Sequence, residues 1–479
     1  MDTTAITSLL NAANSFISGN ILIYVLIGAG ILFTLRSGFI QFRLFGYAAK
    51  SLVKSRQVDR DHISSFQAFC TSLAARVGTG NLAGVAAALS VGGPGAIFWM
   101  WLIALLGMAT SCIENTLAQI YKTNDHDGTY RGGPAYYIEK GLGQRWLSII
   151  FSICLVITFG FAFNAIQSKS IAEAVETAFN IDQKYMGLVI AVVASMIIFG
   201  GIRSIARFAE VVVPFMALAY IVVALGVVAF NAAELPKVFS LIISHAFGLE
   251  SAIGGGMGYA VKSAIQQGVQ RGLFSNEAGL GSSPNAAATA TPYPHHPATQ
   301  GLISMVGVFV DTIIICSATA FIILLSGQLD PSSQMEGITL TQSALHTHVG
   351  DFGPIFVAIA ILLFAFTSII TNYYYGETNL MLMKQNKLLL MFYRLLVLAI
   401  LIVGPVAELP VLFSFADVSM SAMALVNLVT LLLLSGIVLK VVKDFREQVK
   451  MGVEPVFDRK KFPFLDKTMD KDVWDDTSK

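Results

Sequence analysis

A chain that keeps returning to runs of about 20 largely uncharged, apolar residues has few folds open to it. This one does so about eleven times, near residues 17–36, 64–90, 94–121, 146–167, 185–202, 208–230, 255–290, 298–326, 353–378, 388–407 and 410–440. Each run is long enough to cross roughly 30 Å of hydrocarbon at about 1.5 Å of helix rise per residue. No water satisfies the backbone at that depth, so such segments must close their own hydrogen bonds as helices. With 55% hydrophobic and 13% charged residues among 479, the composition excludes an ordinary soluble protein. The expectation is an all-α integral membrane protein.

Cations set its orientation. The first loop carries Arg36, Arg43, Lys50, Lys54, Arg56 and Arg60, the third Lys122, Arg131, Lys140 and Arg145, and the fifth Arg203 and Arg207. An intervening loop holds Asp330, Glu336 and Asp351 instead. Odd-numbered loops therefore face the cytoplasm, which puts the N-terminus outside and the tail, with Lys440, Lys443 and Arg446, inside. Asp2 stands where a leader peptide would carry cations, so the first span reads as a retained helix. The charged segment after 441, ending near Trp474-Asp475-Asp476, reads as a tail and not a domain. A net charge of +1 with no single basic face gives no reason to expect nucleic acid. Cys70, Cys112, Cys154 and Cys316 lie in apolar runs, where they read as small buried hydrophobes.

Two of the spans are interrupted. Val77-Gly78-Thr79-Gly80-Asn81 breaks the second, and Gly254-Gly255-Gly256, Gln266, Gln267, Arg271 and the run Gly272 to Gly281 break up the seventh. Irregular backbone at membrane depth is tolerated only where it lines a cavity or is buried in protein. With the first helix peripheral, each break opens a five-helix block, and paired breaks of this kind point to a transporter with inverted repeats and a site near the midplane. The expected divisions are 1–36 (extracytoplasmic N-terminus and peripheral helix), 37–63 (basic loop), 64–230 and 255–440 (the two five-helix repeats) and 441–479 (tail). Unpaired amides after Gly78 would attract a carboxylate, and carbonyls freed before the breaks would accept an ammonium or a hard cation. Such a pair of ends suits an amino acid zwitterion.

The segment Ser72-Leu73-Ala74-Ala75-Arg76-Val77-Gly78-Thr79-Gly80-Asn81-Leu82-Ala83-Gly84-Val85-Ala86 resembles the first broken helix of the alanine/glycine:cation symporter family. Gly272-Leu273-Phe274-Ser275-Asn276-Glu277-Ala278-Gly279-Leu280-Gly281-Ser282 resembles its second, and Tyr130-Arg131-Gly132-Gly133-Pro134-Ala135 and Gln167 match as well. The resemblance covers nearly the whole chain. It implies a leucine-transporter-type fold and sodium-coupled import of a small neutral amino acid, alanine or glycine, across the plasma membrane of a prokaryote. It implies that Gly78, Thr79 and Gly80 hold the substrate carboxylate with help from Gln167, and that Phe274 and Ser275 sit at the second break against the apolar part and ammonium. It further implies a sodium site from the carbonyls of Ala74 and Val77 and the hydroxyls of Thr367 and Ser368. Na+ is then the coupling ion. Carriers of related fold that use no sodium commonly place a cation on the fifth core helix, and Val211–Phe230 holds neither Lys nor Arg, which favours sodium over protons.

One departure bears on the substrate. Alanine carriers of the family commonly have Trp where this chain has Asn372, ahead of Tyr374-Tyr375-Gly376-Glu377, so glutamine stands as an alternative substrate. Other residues keep plainer readings. Thr367 and Ser368 alone are better explained by bonding back to their own helix, Gly28 and Gly107 by close helix packing, and Arg76, Glu114 and Asp311 by an ion pair or a helix lock rather than substrate contact. Glu277 either orients the second break or gates it. His295-His296 and His346-Thr347-His348 read as solvated loop histidines without metal partners. A membrane enzyme would need a carboxylate pair, metal set or activated nucleophile at the membrane face, and none is evident. A channel fits paired breaks less well than an occluded site does. Substrate rank, chirality, sodium stoichiometry and oligomeric state are not written in the sequence.

Overall fold

Apolar runs in this chain become helices because the backbone then bonds to itself, and several of them stop at a glycine, as at Gly93, Gly143, Gly248 and Gly327. The computed structural model describes residues 3–56, 62–125, 128–249, 256–329, 337–407 and 410–474. Asp2, Arg60, Gly254, Gly255, Asp330, Glu336, Asp475 and Asp476 lie outside the described residues.

Besides the single turns Ile40–Arg43 and Lys471–Trp474, the helices in chain order are α1 (Ser8–Arg36), α2 (Phe45–Lys54), α3 (Ser65–Arg76), α4 (Gly80–Gly92), α5 (Gly95–Ile120), α6 (Pro134–Leu142), α7 (Arg145–Phe179), α8 (Gln183–Ile198) and α9 (Gly201–Phe230). The chain continues with α10 (Leu235–Phe247), α11 (Gly256–Asn276), α12 (Pro284–Ala287), α13 (Pro297–Ser326), α14 (Gly337–Val349), α15 (Phe352–Met383), α16 (Lys387–Val403) and α17 (Pro410–Lys450). Among the described residues seven helices are individually long and apolar enough to cross a membrane: α1, α5, α7, α9, α13, α15 and α17. The reading of about eleven spans differs because it also counted the two interrupted segments and the short α8 and α16, of 16 and 17 residues.

The order of elements repeats. A short helix (α2 or α10) precedes a broken segment (α3/α4 or α11/α12), followed by a long helix, a short one, a long one, a short span and a last long helix. α5 packs extensively on α11 and α13, and α7 on α15, so the broken segments are enclosed by the long helices. Glycine permits this closeness. A Cβ on Gly272 would come 2.6 Å from Ile103 Cγ2, and one on Gly107 2.9 Å from Ala278 Cβ. Gly107 is thus a packing glycine as expected. Gly28 is not, since nothing lies within 4 Å of its Cβ position, and it is Gly30 that meets Leu106 at 2.9 Å.

Two-residue strands join distant parts: β1 (Ile63–Ser64) pairs in parallel with β4 (Ala290–Thr291), and β2 (Thr123–Asn124) antiparallel with β3 (Tyr130–Arg131). The first pair ties the start of one broken segment to the end of the other. The tail does more than its charge suggested. Phe457 N donates to His295 O at 3.0 Å, Trp474 Nε1 donates to Gln119 O at 3.2 Å, and Thr123 Oγ1 donates to Asp470 Oδ2 at 2.9 Å. Phe457 and Trp474 are buried in consequence. The same fold-back corrects the solvated reading of His296, which is fully buried, packs on Phe445 and Phe457, and accepts from Ala298 N at 3.1 Å.

Candidate functional site

α3 begins with a capping box, Ser64 Oγ accepting from Gln67 N while Gln67 Oε1 accepts from Ser64 N. It ends at Arg76, because Val77 leaves helical geometry with φ −82° and ψ 90°. The chain then passes through Gly78 and Thr79 before α4 resumes as a π-helical turn over Gly80–Gly84. Gly78 is forced by its neighbours: a Cβ there would lie 2.5 Å from Ser368 Oγ and 2.9 Å from Gln167 Nε2. At Gly80 a Cβ would meet Phe274 Cδ1 at 3.1 Å and Ser275 Cα at 3.2 Å. The glycines of the first break therefore receive α7, α15 and the end of α11.

The amides freed by this break already have acceptors. Gly78 N donates to Asn81 Oδ1 at 2.9 Å and Thr79 N donates to Gln167 Oε1 at 3.1 Å. Thr79 Oγ1 is buried and has no hydrogen-bond partner among the described residues, and the same holds for Asn372 Oδ1. Of the residues expected around a substrate, Gly78, Thr79, Gly80, Gln167, Phe274 and Ser275 come together here.

The second break lies slightly further along than expected. Phe274 and Ser275 occupy the last turn of α11, and helix stops after Asn276. Glu277, Gly279 and Gly281 take positive φ of 57°, 92° and 83°, which an L side chain adopts only at a cost. Gly272, by contrast, stays helical and serves packing against Ile103. Phe274 stacks edge-on against Phe163, with ring centroids 4.8 Å apart.

Buried charged side chains tie the two breaks together. Asp311, in the π-helical turn Phe309–Cys316 of α13, accepts from Asn81 Nδ2 at 2.7 Å and from Ser275 Oγ at 2.9 Å. An unbroken chain of bonds therefore runs from Gly78 through Asn81 and Asp311 to Ser275. Glu114 accepts from Gly279 N at 3.3 Å and Asn427 Nδ2 at 3.1 Å, fixing the second break. Glu277 accepts from Ser282 Oγ at 2.6 Å, within the same loop. Arg76 donates to Ser304 O at 3.0 Å and Ser111 Oγ at 3.3 Å. Among the described residues Arg76, Glu114 and Asp311 form no ion pair with a side chain, and each instead hydrogen-bonds to polar groups of neighbouring segments.

The hydroxyl of Ser368 on α15 faces the carbonyls left by α3. Its Oγ lies 2.8 Å from Ala74 O, 3.3 Å from Ala75 O and 3.4 Å from Val77 O, besides 3.0 Å from Phe364 O of its own helix. Thr367 is not brought to this point by its hydrogen bonds. Its Oγ1 donates back to Phe364 O at 2.9 Å and approaches Met216 Sδ at 3.9 Å. Three of the four expected cation ligands thus converge.

A cavity of about 620 Å³ leads toward the breaks. Asn14, Glu173, Gly337 and Asp417 line its mouth, on the face where α1 starts and α7 ends, and Thr79, Phe163 and Phe274 line its buried part. On the opposite face Arg131 bridges Asp125 and Glu377, at 2.5 and 3.1 Å, and Arg394 reaches Glu377 at 3.4 Å. The cavity thus opens on one face, and the Arg131, Asp125, Glu377 and Arg394 ion pairs stand on the other.

Residues 3–459 match the family described as the sodium:alanine symporter family. The chain belongs to that family. Similar curated proteins include the amino-acid carrier protein AlsT of Bacillus subtilis, 47% identical over 98% of both chains. The probable sodium/glutamine symporter GlnT of the same organism is 47% identical over 94% of this chain and 92% of its own. The sodium/alanine symporter AgcS of Methanococcus maripaludis is 40% identical over 92% and 97%. This family member is accordingly a multi-pass membrane protein of amino-acid transport by sodium symport, and not an enzyme.

Sequence reasoning missed Asn81 as the cap of Gly78 and the link from Asp311 to both breaks. Asp311 carried a signal, being an ionisable residue at membrane depth. Asn81 carried only its presence beside the glycines.

Proposed function

We propose that this symporter imports a small neutral amino acid, alanine or glycine, together with Na+ by alternating access across a prokaryotic plasma membrane. Its two halves, 64–230 and 255–440, act as inverted five-helix repeats of leucine-transporter type, with α1 peripheral, the N-terminus outside and the C-terminus cytoplasmic. The repeated element order supports that division. The observation that carries the reading is the meeting of Ser368 Oγ with the carbonyls of Ala74 and Val77 at the first break. Sodium is a hard cation and takes oxygen ligands, and a hydroxyl can turn its proton away and present a lone pair. Thr367, whose hydroxyl lies on Phe364 O and near Met216, joins this set when α15 turns it toward α3 on sodium binding.

The substrate carboxylate is held at Thr79 and Gly80. Gln167 Oε1 stands on Thr79 N in the described state, and an arriving carboxylate takes that amide while the Gln167 side chain turns its NH2 to donate. The buried Thr79 hydroxyl supplies a further donor. Phe274, adjacent on the cavity wall, closes over the apolar part, and the Ser275 backbone meets the ammonium. A neutral ligand set leaves the sodium charge uncompensated and attractive to the nearby carboxylate, which couples the two bindings.

Glutamine is the second reading. Asn372 is buried with an unpartnered Oδ1, a group able to accept from a side-chain amide, and a relative named as a probable sodium/glutamine symporter is 47% identical. Binding of labelled alanine and glutamine to the purified protein, with and without sodium, tests both. Sodium-dependent binding of either, lost in Ser368→Ala, supports the assignment; sodium-independent binding of equal strength counts against it.

A further inference from the structure

At the face opposite the cavity, where α1 and α17 end, lies a second pocket of about 310 Å³. Its lining is Arg36, Ser37, Leu439, Lys440, Val442, Lys443 and Arg446, which contains four cations and no carboxylate. The walls are fixed from behind. Arg36 Nη1 donates to Ser435 Oγ at 3.1 Å, and Arg446 Nη1 donates to Ser37 O at 3.2 Å, linking the two helices across the pocket. A guanidinium has five N–H donors, so each retains donors beyond these bonds.

A further cation crowds the rim. The Cβ position of Gly38 lies 3.4 Å from Arg43 Nη1 and 3.6 Å from Arg446 Nη1, so two guanidinium groups come together beside that glycine. Among the described residues, Arg36, Arg43, Lys440 and Arg446 have no carboxylate within ion-pair distance, and the Lys440 ammonium stands 4.7 Å from the centroid of the Phe464 ring. Lys443 reaches Glu447 at 3.8 Å, but Glu447 does not line the pocket. Like charges held this close favour an anion between them, and a planar guanidinium pairs with phosphate oxygens two at a time.

The neighbouring surface says where that anion comes from. Above the pocket, α1 exposes Ile31, Leu32 and Leu35, and α17 exposes Val429 and Leu433. These apolar side chains run along the spans from the pocket into the membrane depth. A soluble anion has no use for them, whereas a lipid lays its chains there while its headgroup stands at the helix ends. Basic pockets between membrane helices bind anionic headgroups in this way.

We propose that the Arg36–Arg446 pocket binds the phosphate of an anionic phospholipid, whose chains lie along the exposed apolar side chains of α1 and α17. The lipid thereby fastens the peripheral first helix to the last one. This site is separate from the substrate breaks and does not depend on which amino acid is carried.

The test uses the delipidated full-length protein in detergent, with phosphatidylglycerol, phosphatidylcholine or inorganic phosphate added in turn. Phosphatidylglycerol is expected to raise the thermal midpoint by about 2–4 °C and to remain attached in native mass spectrometry, while the other two do neither. In Lys440→Gln/Lys443→Gln, which leaves the Ser435 and Ser37 bonds in place, at least half of that shift and most of the retained lipid should be lost. Arg36→Lys, which keeps the charge but loses the fork, should retain part of both. Equal stabilisation by phosphatidylcholine, or full phosphatidylglycerol binding by the double variant, overturns the proposal. Stabilisation by inorganic phosphate alone overturns the lipid assignment and makes the pocket a soluble-anion site.

Discussion

Gly78→Ala is the substitution whose consequence the structure states most sharply. The added methyl would sit 2.5 Å from Ser368 Oγ, where ordinary contact begins near 3.4 Å, and 2.9 Å from Gln167 Nε2. Ser368 Oγ must shift by about 0.9 Å, which disturbs its contacts with Ala74 O and Val77 O at 2.8 and 3.4 Å. Forcing a methylene into a packed site costs about 1–3 kcal/mol. Taken as weakened cation binding at about 1.4 kcal/mol per tenfold, that is roughly 5- to 150-fold in sodium affinity. The assay is the sodium concentration for half-maximal alanine uptake in proteoliposomes, read beside the thermal midpoint of the purified protein. Adding Ser368→Ala to the variant removes the clashing oxygen, so it should recover part of the lost thermal stability while sodium affinity stays low. A folded Gly78→Ala protein with wild-type sodium dependence would refute the argument.

Three other substitutions probe the remaining contacts. Gln167→Glu places a carboxylate beside the one carried by the substrate; two such charges about 4 Å apart oppose each other by about 4 kcal/mol at an effective dielectric of 20, so the KM for alanine should rise far more than in Gln167→Ala. Similar KM values for the two variants would contradict the placement of the carboxylate. Asp311→Asn gives the link between Asn81 and Ser275 a donor where both neighbours now donate; an unsatisfied buried group costs about 1–3 kcal/mol, and the thermal midpoint should fall, whereas an unchanged midpoint would remove Asp311 from its linking role. Asn372→Trp should curtail glutamine uptake while sparing alanine, and equal loss of both would discount Asn372 as a specificity residue.

What could be read from the sequence follows from which forces act locally. Helical spans were legible because hydrocarbon leaves the backbone no alternative, and the first break because Gly78, Gly80 and Asn81 interrupt an apolar run. The second break was displaced by a few residues. Gly272 and Gly279 look alike in sequence, yet one lets α11 lie against Ile103 and the other provides a φ of 92°, a distinction made only by tertiary packing. Ser368 and Thr367 show the same limit. Neighbours on a helix with about 3.6 residues per turn point roughly 100° apart, and α15 turns Ser368 toward α3 and Thr367 toward Met216. The tail was read from its charges, whereas Phe457 and Trp474 set its course. Partners distant in sequence, such as Asp311 with Asn81, leave no local trace.

The central claim is that the amino acid moves with sodium through the site at the first break. Purified protein in sealed vesicles, given an inward sodium gradient and labelled alanine or glutamine, should concentrate at least one of them above the external level, and Ser368→Ala should abolish the accumulation. Accumulation driven equally by a pH gradient in the absence of sodium, or left intact in Ser368→Ala, would contradict the account.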